Sequence, residues 1–120
     1  MELKSYPPLK NAVEKQVLEQ LDIRIGTIEA VTEVLGSEKL LELRVDFGDH
    51  KRTILAGIKG ERANPREIEG KQTLFVINLR PRKMAGRISE GMLLDIGYAD
   101  GLVPALAVPE RPVPNGARAG

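Results

Sequence analysis

Leu41-Glu42-Leu43-Arg44-Val45-Asp46-Phe47 alternates apolar and polar residues without a break. Gly48-Asp49-His50-Lys51 follows with turn chemistry, and Arg52-Thr53-Ile54-Leu55-Ala56 resumes as extended chain. A period of two sends every apolar side chain to one face, so the pair reads as an antiparallel hairpin. Upstream, Ile23-Arg24-Ile25-Gly26-Thr27-Ile28-Glu29-Ala30-Val31 is a further strand, in which Gly26 is expected to mark a bulge or bend. Gly36-Ser37 supplies the turn between them. Ahead of this, after Pro7-Pro8, Leu9, Val13, Val17 and Leu21 recur every four residues and predict an apolar stripe on a short N-terminal helix.

Downstream, Asn64-Pro65 is a helix start with proline at a first helical position, inside a 57–70 segment that holds at most a short helix. Gln72-Thr73-Leu74-Phe75-Val76-Ile77 is the most hydrophobic strand and stops before Pro81. Met92 to Tyr98 reads as a fifth strand and Leu102 to Val108 as a sixth, and the Pro- and Gly-rich tail from Pro109 to Gly120 as extended chain. Strands in this order, with a short helix between the third and fourth, predict an all-β protein. The best match among small barrels is a five-stranded OB-fold barrel, here with an N-terminal helix and an extended C-terminal tail. Residues 1–20 read as an N-terminal extension with its short helix, and 21–120 as the barrel domain.

A chain of 120 residues leaves room for one domain. Lys plus Arg number 18 against 17 Asp plus Glu, so any attraction to nucleic acid must come from local segregation of charge. The absence of Cys excludes disulfides, thiol catalysis and cysteine metal sites, and a single His excludes His-rich ones. Two Tyr, two Phe and no Trp argue against an aromatic platform for single strands. No run approaches the roughly 20 apolar residues of a membrane helix, and the N-terminus lacks signal-peptide chemistry. A cytoplasmic protein without a membrane partner is the expectation.

Catalytic patterns are missing as well. His50 lies in a turn, where a solvated role is the simplest one. Gly86-Arg87-Ile88-Ser89-Glu90-Gly91 fails the nucleophile-elbow pattern at Arg87, and no phosphate-cradling glycine loop occurs. Asp46 and Asp49 flank a turn, which carboxylates favour for solvation more often than for cations. Gly57-Ile58-Lys59-Gly60 matches the backbone clamp of KH domains, but that loop joins two helices and a strand precedes this one. We therefore expect no enzyme, no catalytic residues, no metal and no cofactor. The strongest local feature is charge. Arg80, Arg82, Lys83 and Arg87 place four cations in eight residues with no acid among them. Arginine forks onto phosphate oxygens and lysine supplies a point charge; the alternative is a solvated basic loop.

Leu21-Asp22-Ile23-Arg24-Ile25-Gly26-Thr27-Ile28, Val45-Asp46-Phe47-Gly48, Ala56-Gly57-Ile58, the run from Asn78 to Met92, and Pro112-Val113-Pro114-Asn115-Gly116 together resemble the tRNA-binding domain family. That family includes C-terminal domains of methionyl-tRNA synthetases, free-standing structure-specific tRNA-binding proteins and the secretion chaperone CsaA. The resemblance runs from about Leu21 to Gly120, and its specific part is Asn78 to Met92. It implies an OB-fold, no catalysis, a homodimer with a C-terminal dimerisation segment, and tRNA recognised by shape and backbone.

By motif, Asn78, Arg82, Lys83, Ser89 and Met92 fall in the family's tRNA-contact stretch, and Lys39 occupies the place of its Ala-Asp-Lys-Leu lysine. The chain departs from the pattern at Val34-Leu35-Gly36, where His-Pro is common, and at Ala56, where Ser is common. Ser89 either donates to a phosphate or ribose or bonds its own backbone. Met92 is either a soft contact at the RNA edge or core. The apolar N-terminal stripe and Leu102 to Pro114 either cover a partner subunit or fold back on their own barrel. The implied partners are tRNA, a second copy of the chain and a methionyl-tRNA synthetase. The competing reading is a CsaA-like chaperone for unfolded or exported polypeptides; complete Ser89-Glu90-Gly91-Met92 favours tRNA.

Overall fold

The computed structural model describes residue 3 and residues 5–120. Its centre is β1 (Ile23–Glu33), an 11-residue strand long enough to serve two neighbours. The upper half pairs antiparallel with β2 (Leu41–Asp46), which turns at Phe47–His50 into β3 (Lys51–Ala56). The lower half pairs with β4 (Gln72–Val76), which in turn pairs with the two residues of β7 (Met92–Leu93). The sheet order is β3-β2-β1-β4-β7, a curled antiparallel half-barrel consistent with the OB-like all-β fold read from the sequence. Its concave face buries Ile28, Leu41, Leu43, Val45, Phe47, Ile54 and Phe75, the alternate residues that the period of two selects. Phe47 meets Phe75 edge to face, ring centroids 5.5 Å apart.

A single 3₁₀ turn at Pro65–Ile68 fills the slot between β3 and β4. Asn64 caps it, its Oδ1 accepting from Arg66 N at 3.2 Å, and Ile68 plugs the core. The turn sits where the register of β1 breaks. The extra residue lies between Ile28 and Ala30, and Glu69 Oε2 accepts the Val31 N–H at 2.9 Å. That backbone hydrogen bond holds the Glu69 carboxyl below its ordinary range.

The bulge is thus at Glu29, not at Gly26. Gly26 is instead a point of close packing, since a Cβ there would lie 2.5 Å from Val45 Cγ1 and 2.8 Å from Phe47 Cε1. Other elements also differ from the sequence reading. The N-terminal helix is one turn, α1 (Lys15–Glu19), with no side-chain cap and no buried residue. Leu9 and Val13 precede it and are exposed, so the four-residue stripe never forms. One turn without tertiary packing is too short to propagate helix into residues 9–14. The expected fifth strand is two pieces. After Leu94 N donates to Leu74 O, the chain leaves β4, and β8 (Asp95–Ile96) pairs with β9 (Ala105–Leu106). Past that point Thr73 Oγ1 donates to Ala107 O at 3.3 Å. Most of the anticipated sixth strand is irregular.

The tail is extended and folds back on its own barrel. Beyond Asp46, the flank of β1 that β2 leaves open is taken by residues 116–119. Gly116 N donates to Ile25 O, Ile25 N to Ala117 O, and Ala119 N to Ile23 O, at 2.8 to 2.9 Å. Asn115 Oδ1 accepts from Thr27 Oγ1 and Gln72 Nε2, while Gln72 also brackets Val113 through its N–H and C=O. Val103 and Val108 remain exposed. Because Gly26 lies against Val45 and Phe47, Gly26→Ala is expected to cost about 1–3 kcal/mol by overpacking. Urea denaturation will show this as a lowered midpoint with an unchanged slope.

Candidate functional site

The basic segment is not a loop. β5 (Arg82–Met84) and β6 (Arg87–Ser89) form a hairpin, with Ala85 at φ 49° and Gly86 at φ 77° between them. Positive φ at both central residues is the two-residue type I′ turn, whose twist matches that of paired strands. The turn lifts Arg82 and Lys83 into solvent, and Arg80 is exposed just ahead of them. None of the three has an ion-pair partner among the described residues. Arg87 differs: its Nη1 lies 2.7 Å from Glu42 Oε1, which ties the hairpin to β2. Lys39 is exposed at the turn before β2, where its C=O accepts from Lys59 N at 3.0 Å.

Two of the expected contact residues are committed to the fold. Ser89 is 3% exposed; its Oγ accepts from Leu55 N at 3.0 Å and donates to Gly91 O at 2.9 Å. Asn78 spans the junction of α1 and β1, Oδ1 accepting from Asp22 N and Nδ2 donating to Gln20 O, both at 2.7 Å. Both ends of its amide are used. Asp22 beside it receives a forked bond from Arg24 at 2.9 and 3.0 Å, with Arg118 at 3.6 Å. The Arg24 bond, helped by the charges of Arg24 and Arg118, holds the Asp22 carboxyl below its ordinary value.

Sequence reasoning did not single out Arg52 or Glu90, which anchor the segment from the other side. Arg52 Nη1 donates to Ile77 O at 2.7 Å and Glu90 O at 3.0 Å, and Nε donates to His50 Nε2 at 3.0 Å. His50 is therefore no free turn residue. With Nε2 accepting, its proton sits on Nδ1, 2.6 Å from Asp49 Oδ1, and the ring stacks on Phe47. That hydrogen bond holds the Asp49 carboxyl low. Glu90 exchanges bonds with Thr53: N to Thr53 O at 2.9 Å, Oε1 from Thr53 N at 3.0 Å.

Beside the hairpin runs an open, mainly apolar groove of about 370 Å³, lined by Leu55, Leu79, Met84, Met92 and Tyr98. Met92 is half exposed at its position opposite Val76, so it faces the groove instead of the core. Arg80, Arg82, Glu61 and Asp95 supply its charges. Burial pushes the Glu61 carboxyl up, and Asp95 adds to that, partly offset by Arg62. Among the described residues no group of three His, Cys, Asp or Glu side chains is placed to hold a metal ion. The arrangement offers a cationic ridge beside an apolar trough.

The sequence profile of the family described as "Putative tRNA binding domain" matches residues 23–118. A methionine–tRNA ligase of Parabacteroides distasonis is 41% identical over 109 residues, 91% of this chain but only 16% of that enzyme's length. The crystal structure of a MetRS-related protein from Pyrococcus horikoshii superposes with a TM-score of 0.85 at 33% identity, covering 92% of this chain and all of the other. The chaperone CsaA from Bacillus anthracis gives 0.77 at 28%, again over 92% of this chain and the whole of that one.

Ser89→Ala leaves the Leu55 N–H unpaired in a buried place and is expected to cost about 1–3 kcal/mol, read by chemical denaturation. Asp22 predicts an acid signature. Its folded pKa lies below the ordinary 3.8, so its stabilisation is present above that value and is lost as pH falls through the folded one. Thermal melts of Asp22→Asn from about pH 5 down to pH 2 should therefore decline less steeply than wild type.

Proposed function

The chain belongs to the tRNA-binding domain family, and from that membership we propose that it is a non-catalytic tRNA-binding protein. It recognises tRNA by shape and backbone contact and acts in the cytoplasm. The observation that carries this reading is the ridge of Arg80, Arg82 and Lys83: three exposed cations without carboxylate partners on a nearly neutral protein. Elsewhere most arginines are engaged within the fold. Arg24, Arg62, Arg66, Arg87 and Arg118 pair with acids, and Arg52 with carbonyls. Free guanidinium groups beside a lysine suit phosphate oxygens, and structured RNA is read through backbone and 2′-hydroxyl contacts. Arg87 lies on the same hairpin as the ridge, and Lys39, exposed before β2, adds a further cation to the RNA contact. Ser89 and Asn78 act by holding it, and Met92 meets the RNA from the groove.

The working form is a homodimer, free-standing or attached to a methionyl-tRNA synthetase. Residues 1–20 serve as an extension and 21–120 as the binding module. Support comes from apolar side chains without cover among the described residues: Leu9 and Val13 before α1, and Ile96, Val103 and Val108 around β8 and β9. Scattered exposed apolar residues are ordinary, but a cluster on one segment is the signature of an interface. A second reading, capture of unfolded polypeptide, draws on the apolar groove and on the likeness to the Bacillus anthracis chaperone.

Fluorescence anisotropy of labelled bulk tRNA, with unlabelled tRNA, duplex DNA and an unfolded polypeptide as competitors, separates the readings. The expected result is binding displaced by tRNA, not by DNA or polypeptide, and weakening steeply with salt. Arg82→Ala and Lys83→Ala should each flatten the log–log salt slope by about 0.7–0.9 per lost phosphate contact. Folding stability should shift by no more than about 0.5 kcal/mol. Sedimentation at micromolar concentration is expected to give a species of twice the 13.2 kDa chain mass; a species of single chain mass refutes the dimer.

A further inference from the structure

Two arginines and two carboxylates line the groove, yet no ion pair joins them. Arg80 and Arg82 lie beyond salt-bridge distance of every described carboxylate, while Glu61 pairs only with Arg62, Nη1 to Oε1 at 3.5 Å. Glu61 and Asp95 both line the groove, and burial raises the Glu61 carboxyl, with the Asp95 charge adding to it. The trough thus carries two cations without carboxylate partners and two carboxylates, with Leu55, Leu79, Met84, Met92 and Tyr98 forming the apolar surface. Tyr98 is 68% exposed, and among the described residues no side-chain hydrogen bond or ring contact holds its phenol.

We propose that the groove takes one unpaired nucleotide of the bound RNA. Its phosphate lies on Arg80 and Arg82, its base against Tyr98, Met84 and Met92, and its exocyclic amine towards Glu61 and Asp95. This rests on the RNA-binding reading above and adds the moiety that is recognised. A polypeptide side chain satisfies the apolar lining but uses neither set of charges. A nucleotide carries an anion at one end and, on adenine, cytosine or guanine, an amine at the other, which carboxylates accept. The volume of about 370 Å³ falls at the small end of ligand pockets, about 300–1,000 Å³. Thioether sulfur packs well on aromatic rings, so two methionines and one tyrosine form a place for a single base. Uracil, which has a ring N–H but no exocyclic amine to offer Asp95, is disfavoured.

The test uses the full chain labelled with ¹³C at the methionine methyls, with Met84 and Met92 signals assigned by Met84→Leu and Met92→Leu. On addition of bulk tRNA both methyls are expected to move upfield, as they do beneath an aromatic ring. Oligoadenylate should move them further than oligouridylate of equal length. Tyr98→Ala should weaken tRNA binding by about tenfold, the scale of one lost stacking contact, without changing the salt slope that Arg82→Ala flattens. If tRNA binds with its salt dependence while both methyls stay in place and Tyr98→Ala binds as wild type, the base site is overturned and the phosphate reading stands. If an unfolded polypeptide moves the methyls and tRNA does not, the groove belongs to polypeptide and the proposal fails. If no tRNA binds at low salt, the underlying reading fails with it.

Discussion

A curled sheet that stops short of a closed barrel has two raw edges facing one another, and unpaired strand edges must be satisfied. Here β3 and β7 share no ladder, and the gap is bridged by three adjacent groups. Ser89 Oγ meets Leu55 N, Glu90 meets both the N–H and the C=O of Thr53, and Arg52 reaches across to Ile77 O and Glu90 O. Everything on that side of the molecule is suspended from this seam. The β5–β6 hairpin enters it at Ser89, so the position of Arg82 and Lys83 is fixed by bonds that they do not make. Gly91 fits the same seam: a Cβ there would lie 3.0 Å from Val76 O and 3.2 Å from Ile54 Cδ1. The stretch Ser89-Glu90-Gly91 is thus explained by closure of the sheet before any ligand is considered.

This separates two kinds of residue that a sequence motif runs together. Within Asn78 to Met92, Asn78 and Ser89 turn their polar atoms to the chain itself, and Arg87 is tied to Glu42. Arg80, Arg82, Lys83 and Met92 are the residues left facing outward. The near-zero net charge hides this arrangement. Arg24, Arg62, Arg66, Arg87, Arg111 and Arg118 are paired with acids within the fold, whereas Arg80 and Arg82 stand beside the groove without a carboxylate partner among the described residues. Of the few aromatics, Tyr98 lines the groove together with Met84 and Met92.

The strands with clean alternation were legible, because period two is a property of the chain alone: Leu41 to Asp46 and Lys51 to Ala56 lie where the pattern puts them. Asn64-Pro65 likewise announced a helical turn through local capping chemistry. What escaped was decided at a distance. Nothing in Gly26 itself distinguishes a bulge glycine from one crowded by Val45 and Phe47. The break at Leu94 goes with the pairing of Asp95 and Ile96 to Leu106 and Ala105, and the four-residue stripe of Leu9 to Leu21 had no surface to lie on. The hairpin went unseen because Ala85-Gly86 is a weaker type I′ signal than Asn-Gly, Ala85 at φ 49° being held there by the paired flanks. In the site, charge spacing located the ridge, but Arg52, Glu90, Glu61 and Tyr98 are scattered along the chain and meet only in three dimensions.

The last residues of the chain run against the first strand, with Ala117 and Ala119 bonded to Ile25 and Ile23 and Arg24 opposite Arg118. Pairings so distant in sequence close the largest loop the molecule contains, and such contacts are slow to form. During synthesis, therefore, β1 waits with half of one edge bare until residues 116–119 have been made. The seam beside Ile23–Ile25 is the last to be sewn. Until then the protein presents an open strand of the kind that pairs with whatever extended chain comes near.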